Sequence, residues 1–143
     1  MAQNNENTNA FLIHISAFAG FLFPFGSIIT PSIVWQTLKD RSQFLDDQGK
    51  EAVNFNLSYS LYMFIIGLTF IPFFIRNIFN GWNHSFNHEW DFDLGFGSLF
   101  GLVGFASFAG IIGLIKIALI ILAAIKANKG EAYKYPLTIK FIK

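Results

Sequence analysis

KDRSQFLDDQGKEAVNFNLSYSLY, residues 39–62, decides how this chain folds, because a block dense in ionisable side chains runs without pause into apolar sequence. From about Asp46 the stretch can start a helix. Asp46 suits an N-cap, and Asp47 adds negative charge where the helix dipole is positive. At helical spacing Asp47, Glu51, Asn54, Ser58 and Tyr62 share one face, three or four residues apart. Against lipid, Asn54 and Ser58 would lack hydrogen-bond partners, so this face must turn inward. The block therefore reads as the head of a membrane helix. Asp47, Lys50, Glu51, Asn54 and Ser58 are its structural or partner-docking residues, set against the first hairpin and the basic tail or against another protein.

Composition agrees with a membrane setting. Hydrophobic residues make up 53% of the 143 positions, Phe alone accounts for nineteen, and only 13% are charged; mean hydropathy is +0.46. These values place the chain outside soluble-domain usage and with small integral membrane proteins. The lack of Cys excludes disulfides, thiolate metal sites and cysteine nucleophiles. So few basic residues leave no nucleic-acid footprint.

Working outward, residues 1–10 (MAQNNENTNA) are polar and read as a disordered lead-in without the basic region of a signal peptide. The remainder, 11–143, reads as one membrane domain with apolar segments at 11–23, 27–38, 46–78 and 95–128 and a basic tail at 129–143. Pro24, Gly26 and Pro31 interrupt the first long run. Two arrangements satisfy it: one kinked span of about 42 Å, or a hairpin turning at PFG whose halves, roughly 20 Å each, are short for a core of about 30 Å. The next segment ends at Pro72 and Arg76, and the Trp-bearing loop after it carries Glu89, Asp91 and Asp93. The last segment repeats small-xxx-small spacings across 97–113, which permit close helix packing. We expect that packing within the bundle, with a homo-oligomer face as the alternative.

Lys39, Arg41 and Lys50 precede the third segment, and Lys126, Lys129, Lys134, Lys140 and Lys143 flank the end of the fourth. Two spans separate the clusters, so both fit the cytoplasmic side. The expected location is the bacterial cytoplasmic (inner) membrane, multi-pass, with a cytoplasmic C-terminus.

HISAFAGFLFPFGSIITPSIVW, KDRSQFLDDQGKEAVNFNLSYSLY and AAIKANKGEAYKYPLTIKFIK together resemble an uncharacterised family of small bacterial membrane proteins related to a Tic import component of the chloroplast inner envelope. The resemblance implies an all-α bundle of four segments, the first two forming the hairpin, with both termini on one side. It also implies a role linked to protein translocation or membrane protein handling.

Few residues look chemically active. His84, His88 and Glu89 in HSFNHEWDFD could ligate a metal only if the loop were helical, and its Asn and aromatic content argues instead for a solvated polar loop. His14 and Lys116 are intramembrane polar residues. His14 reads as a hydrogen-bonded bridge between helices. Lys116, ten positions or about 15 Å before Lys126, reads as a snorkelling or paired cation. No nucleophile and base pair or phosphate loop can be assembled, and no cofactor is implied. The sequence thus points to a non-enzymatic accessory or scaffold subunit bound to lipid and other membrane proteins. The alternative is a small channel or transporter using Lys116, His14 and Asn54 along a polar path.

The charge distribution predicts that, in intact cells, an impermeant thiol reagent labels a cysteine placed at Ser85 and spares one at Ala132. The reverse pattern would overturn the orientation.

Overall fold

The structure, a computed structural model, describes residues 2–85 and 96–143. Among the described residues every regular element is helical: α1 (Ala2–Ile15), α2 (Gly26–Leu38), α3 (Gln43–Ser85) and α4 (Phe96–Asn128). Two of them contain stretches long and apolar enough to cross a bilayer, Gln43–Pro72 in α3 and Val103–Asn128 in α4. The first two apolar segments are too short to count as further spans, so the expectation of four apolar membrane segments reduces to two candidate spans and a hairpin.

That hairpin turns where PFG predicted. α1 continues as 3-10 turns over Ser16–Phe21, and the Ala19 carbonyl then accepts the N–H groups of Leu22 (3.0 Å) and Phe23 (3.3 Å). Phe25 adopts a left-handed conformation (φ 62°) that reverses the chain into α2. Gly26 follows because a Cβ there would collide with the Ala19 backbone. Pro31, expected as a second interruption, instead sits buried inside α2. It costs the helix one hydrogen bond without ending it. Pro72 likewise lies within α3, which runs on to Ser85.

The N-terminal residues expected to be disordered are helical from Ala2. Ala10 and Ile13 of α1 are fully buried with Leu38, Leu45, Ala52 and Ala127 in one apolar cluster, and that burial accounts for the order of the preceding turns. α3 begins at Gln43 rather than Asp46. Ser42 is extended (φ −162°, ψ 155°) and caps the helix, its Oγ accepting the Leu45 N–H at 3.2 Å. Asp46 is thereby free to accept the Trp35 indole N–H at 2.9 Å and to pair with Lys50 at 2.6 Å. The Trp35 ring lies in a slot opened by Gly49, where any Cβ would overlap the indole. The block DDQGK is therefore a socket: it takes Trp35 and fixes α2 on α3.

Contacts divide the chain into two compact units, Met1–Leu61 with Ile115–Lys143, and Tyr62–Leu114. The first holds the hairpin, the start of α3, the end of α4 and the tail. Within the second, the Phe70 and Phe105 rings meet at 4.4 Å between centroids. Of the small residues in 97–113, Gly104, Gly110 and Gly113 face open space, where an added Cβ would meet nothing among the described residues.

Gly49→Ala should lower stability by about 2 kcal/mol through overpacking against Trp35. Gly67→Ala, in open space on the same helix, should leave stability unchanged or raise it by up to about 1 kcal/mol. Melting temperatures in mild detergent distinguish the two, and equal effects would refute the socket.

Candidate functional site

The tail beyond Asn128 forms no helix or strand, so its backbone N–H groups need acceptors from elsewhere. α3 supplies them. Gln48 Oε1 accepts the Tyr133 N–H at 3.2 Å, Glu51 Oε2 the Tyr135 N–H at 3.4 Å, and Ser58 Oγ the Ile139 N–H at 2.8 Å. Asn54 Oδ1 takes two, from Phe141 at 3.1 Å and Ile142 at 2.8 Å. Its Nδ2 donates to the Ile142 carbonyl at 2.8 Å. The Ser58 hydroxyl spends its own proton on the Asn54 carbonyl one turn back, at 2.7 Å. Residues 48, 51, 54 and 58 recur at helical spacing, so a single face of α3 stands in for the partner strand the tail lacks.

Three of the expected docking residues, Glu51, Asn54 and Ser58, lie in this clamp. Asp47 does not: it is exposed, and Gln48 heads the stripe instead. Lys50 faces Asp46, at the hairpin socket. Gln48 satisfies the same spacing as the others. Weighting ionisable side chains over a neutral amide is what hid it.

Gln48 also reaches His14. Because its Oε1 receives the Tyr133 N–H, the carbonyl end of the amide is the one 3.1 Å from His14 Nε2. The network thus assigns the proton to Nε2 and leaves Nδ1 to accept the Tyr135 hydroxyl at 3.0 Å. The Tyr135 ring stacks on Phe55, 4.0 Å between centroids and 8° from parallel, and meets Tyr133 edge-on at 5.1 Å. His14 is fully buried and lies outside both candidate spans. Burial pulls its pKa down to about 4, opposed only in part by the bond to Gln48. Burial likewise pushes the Tyr135 phenol above its ordinary value, with Tyr133 and Glu51 adding to the effect. His14 thus joins α1 both to Gln48 of α3 and to a tail residue 121 positions away.

Lys116 has a different partner. Its Nζ lies 4.2 Å from the centroid of the Tyr59 ring, a cation-π contact between α4 and α3. The structure brings His14 and Asn54 to the tail, while Lys116 meets Tyr59. His84 falls in the last turn of α3; His88 and Glu89 lie outside the described residues. Among the described residues no group of three His, Asp or Glu could hold a metal.

A family match covers residues 5–142 and is described as the magnetosome magnetite crystal formation protein family. The chain belongs to this MamF/MmsF family. The match overturns the expected kinship with the Tic import component, and with it the link to protein transport and translocation. The blocks that carried that resemblance hold the Trp35 socket and the tail with its clamp, which report how the chain packs. Neither a curated protein nor a solved structure matches the chain.

Asn54→Leu leaves the Phe141 and Ile142 N–H groups without their acceptor and should cost about 3 kcal/mol. It should also expose Lys134 and Lys140 to rapid tryptic cleavage, whereas Asp47→Ala should change stability by less than about 0.5 kcal/mol. Equal protease resistance in the two variants would refute the clamp. Protonation of His14 gives a separate test. Its folded pKa is below the unfolded value, so the unfolded chain binds the proton first and stability rises with pH across that interval. Stability should be complete above about 6.5 and fall as the pH drops toward 4. Thermal melts at graded pH should lose this slope in His14→Gln.

Proposed function

We propose that the chain is a non-enzymatic scaffold of the magnetosome membrane that acts in magnetite crystal formation. The match to that family over nearly the whole chain carries the reading. On this reading the expected cytoplasmic-membrane location narrows to the magnetosome membrane, with α3 and α4 as spans and both termini cytoplasmic. The buried polar groups of the chain support a structural role. His14, Gln48, Asn54 and Ser58 bind one another or the tail, which favours a structural role for two of the three residues that a channel through Lys116, His14 and Asn54 would use.

Two spans put the connection between α3 and α4 on the side opposite the termini. That connection carries His84, His88, Glu89, Asp91 and Asp93, and oxygen and imidazole donors suit iron. In this reading it faces the mineral, while the tail-locked end anchors the protein among other membrane subunits. The open face at Gly104, Gly110 and Gly113 leaves room for close approach by another helix, including one from a second copy.

The test is complementation of a deletion strain, with crystal size and shape measured by electron microscopy. The wild-type chain should restore both. Joint replacement of Glu89, Asp91 and Asp93 by their amides should alter the crystals while leaving membrane insertion intact. Normal crystals from the amide variant would remove the mineral-facing role, and normal crystals in the deletion strain itself would remove the whole reading. Solute flux through liposomes carrying the purified protein would favour the channel instead.

A further inference from the structure

The tip of the α1–α2 hairpin is apolar and uncovered. Phe21, Leu22 and Phe25 are 74%, 84% and 72% exposed, and Ile29 and Ile33 continue the surface along α2. No residue from Ser16 to Leu38 is charged. Charge begins abruptly at the hairpin's base with Lys39, Asp40 and Arg41. An uncharged surface of this kind, rooted in a charged collar, is the pattern of an element inserted in lipid from one side. The α4 helix that packs on the hairpin through Ala123 and Ala127 likewise exposes Ile121, Leu122 and Ile125, so bilayer is the occupant that both surfaces require.

Length limits how far the hairpin reaches. α2 has 13 residues, about 20 Å at 1.5 Å per residue, whereas the candidate spans of 30 and 26 residues measure about 45 and 39 Å. From a base at the headgroups, 20 Å ends near the middle of a hydrocarbon core of about 30 Å. The tail loop enters from the same side: Leu137, in a left-handed turn after Pro136, is 86% exposed at its tip, and Asn54 and Ser58 pair the backbone on its returning limb. Irregular backbone at such a depth is tolerated only where protein satisfies it.

We propose that residues 16–38, with the tail loop beside them, form a wedge that occupies only the leaflet on the side of the termini, so that the protein favours bilayers in which that leaflet is convex. The hairpin and loop add cross-section to one leaflet and none to the other, which receives the two spans alone. Convex lipid packing relieves that asymmetry, and apolar insertion of this kind is sensitive to curvature.

The proposal rests on the two-span reading, and label depth separates the two. The chain lacks Cys, so nitroxides can be placed singly at Leu22 and, as a control in α3, at Ile65. In vesicles of phosphatidylcholine and phosphatidylglycerol both labels should be accessible to oxygen and shielded from a water-soluble relaxation agent. Shielded Ile65 with water-accessible Leu22 overturns the wedge and leaves the spans standing; water-accessible Ile65 overturns both. In the same lipids, protein density per unit of lipid should be higher in small sonicated vesicles than in large extruded ones, for molecules whose Ala132 side faces outward. Equal density overturns the proposal. Leu22→Asn with Phe25→Asn places polar groups at exposed positions and suits the left-handed residue 25. This variant should keep its melting temperature and lose the size preference. Retention of the preference by the folded variant overturns the assignment to the tip, and if the variant fails to fold, the wild-type series alone decides.

Discussion

The structure depends on the pairing of an irregular tail with one helical face. A backbone N–H withdrawn from water without an acceptor costs about 1–3 kcal/mol, and the tail presents five that end on α3 side chains. Neither a strand partner nor a helix of its own satisfies them. The polar stripe of α3 does, and this explains why a helix that goes on to qualify as a membrane span starts with Gln48, Glu51, Asn54 and Ser58. The residues that look most out of place beside a bilayer are the ones that let the fifteen non-helical residues 129–143 pack there.

From that clamp the rest of the first unit follows. Tyr135, brought down by Glu51 and stacked on Phe55, points its hydroxyl at His14. His14 in turn joins α1 to Gln48, so hairpin, α3 and tail share one hydrogen-bonded network. On its other flank the hairpin is held by shape: the indole of Trp35 needs the missing side chain of Gly49 and the carboxylate of Asp46. The half-buried Lys50 to Asp46 pair, still open to solvent, adds little by itself. Its use is to hold Asp46 where Trp35 can reach it.

The family assignment and this architecture answer different questions. Membership places the chain in a family described by magnetite crystal formation, while the packed polar groups hold α1, the start of α3 and the tail together within one unit.

Much of this was readable from residues alone, because it depends on local spacing and composition. Apolar length marked the two candidate spans within a reading of four segments, PFG marked the turn between α1 and α2, and the three-or-four spacing placed Glu51, Asn54 and Ser58 on one face. These are properties of a helix or a turn, which sequence encodes within a few residues. The tertiary structure decided what lies at long separation: that Asn54 serves residues 141 and 142, that Gln48 and not Asp47 heads the clamp, and that His14 meets Tyr135. It also showed Gly49 as a slot for Trp35 and Pro31 inside an unbroken helix. Spacing states which side chains share a face, but the partner that satisfies a buried polar group is chosen by packing, and packing brings together residues whose order along the chain carries no trace of the contact.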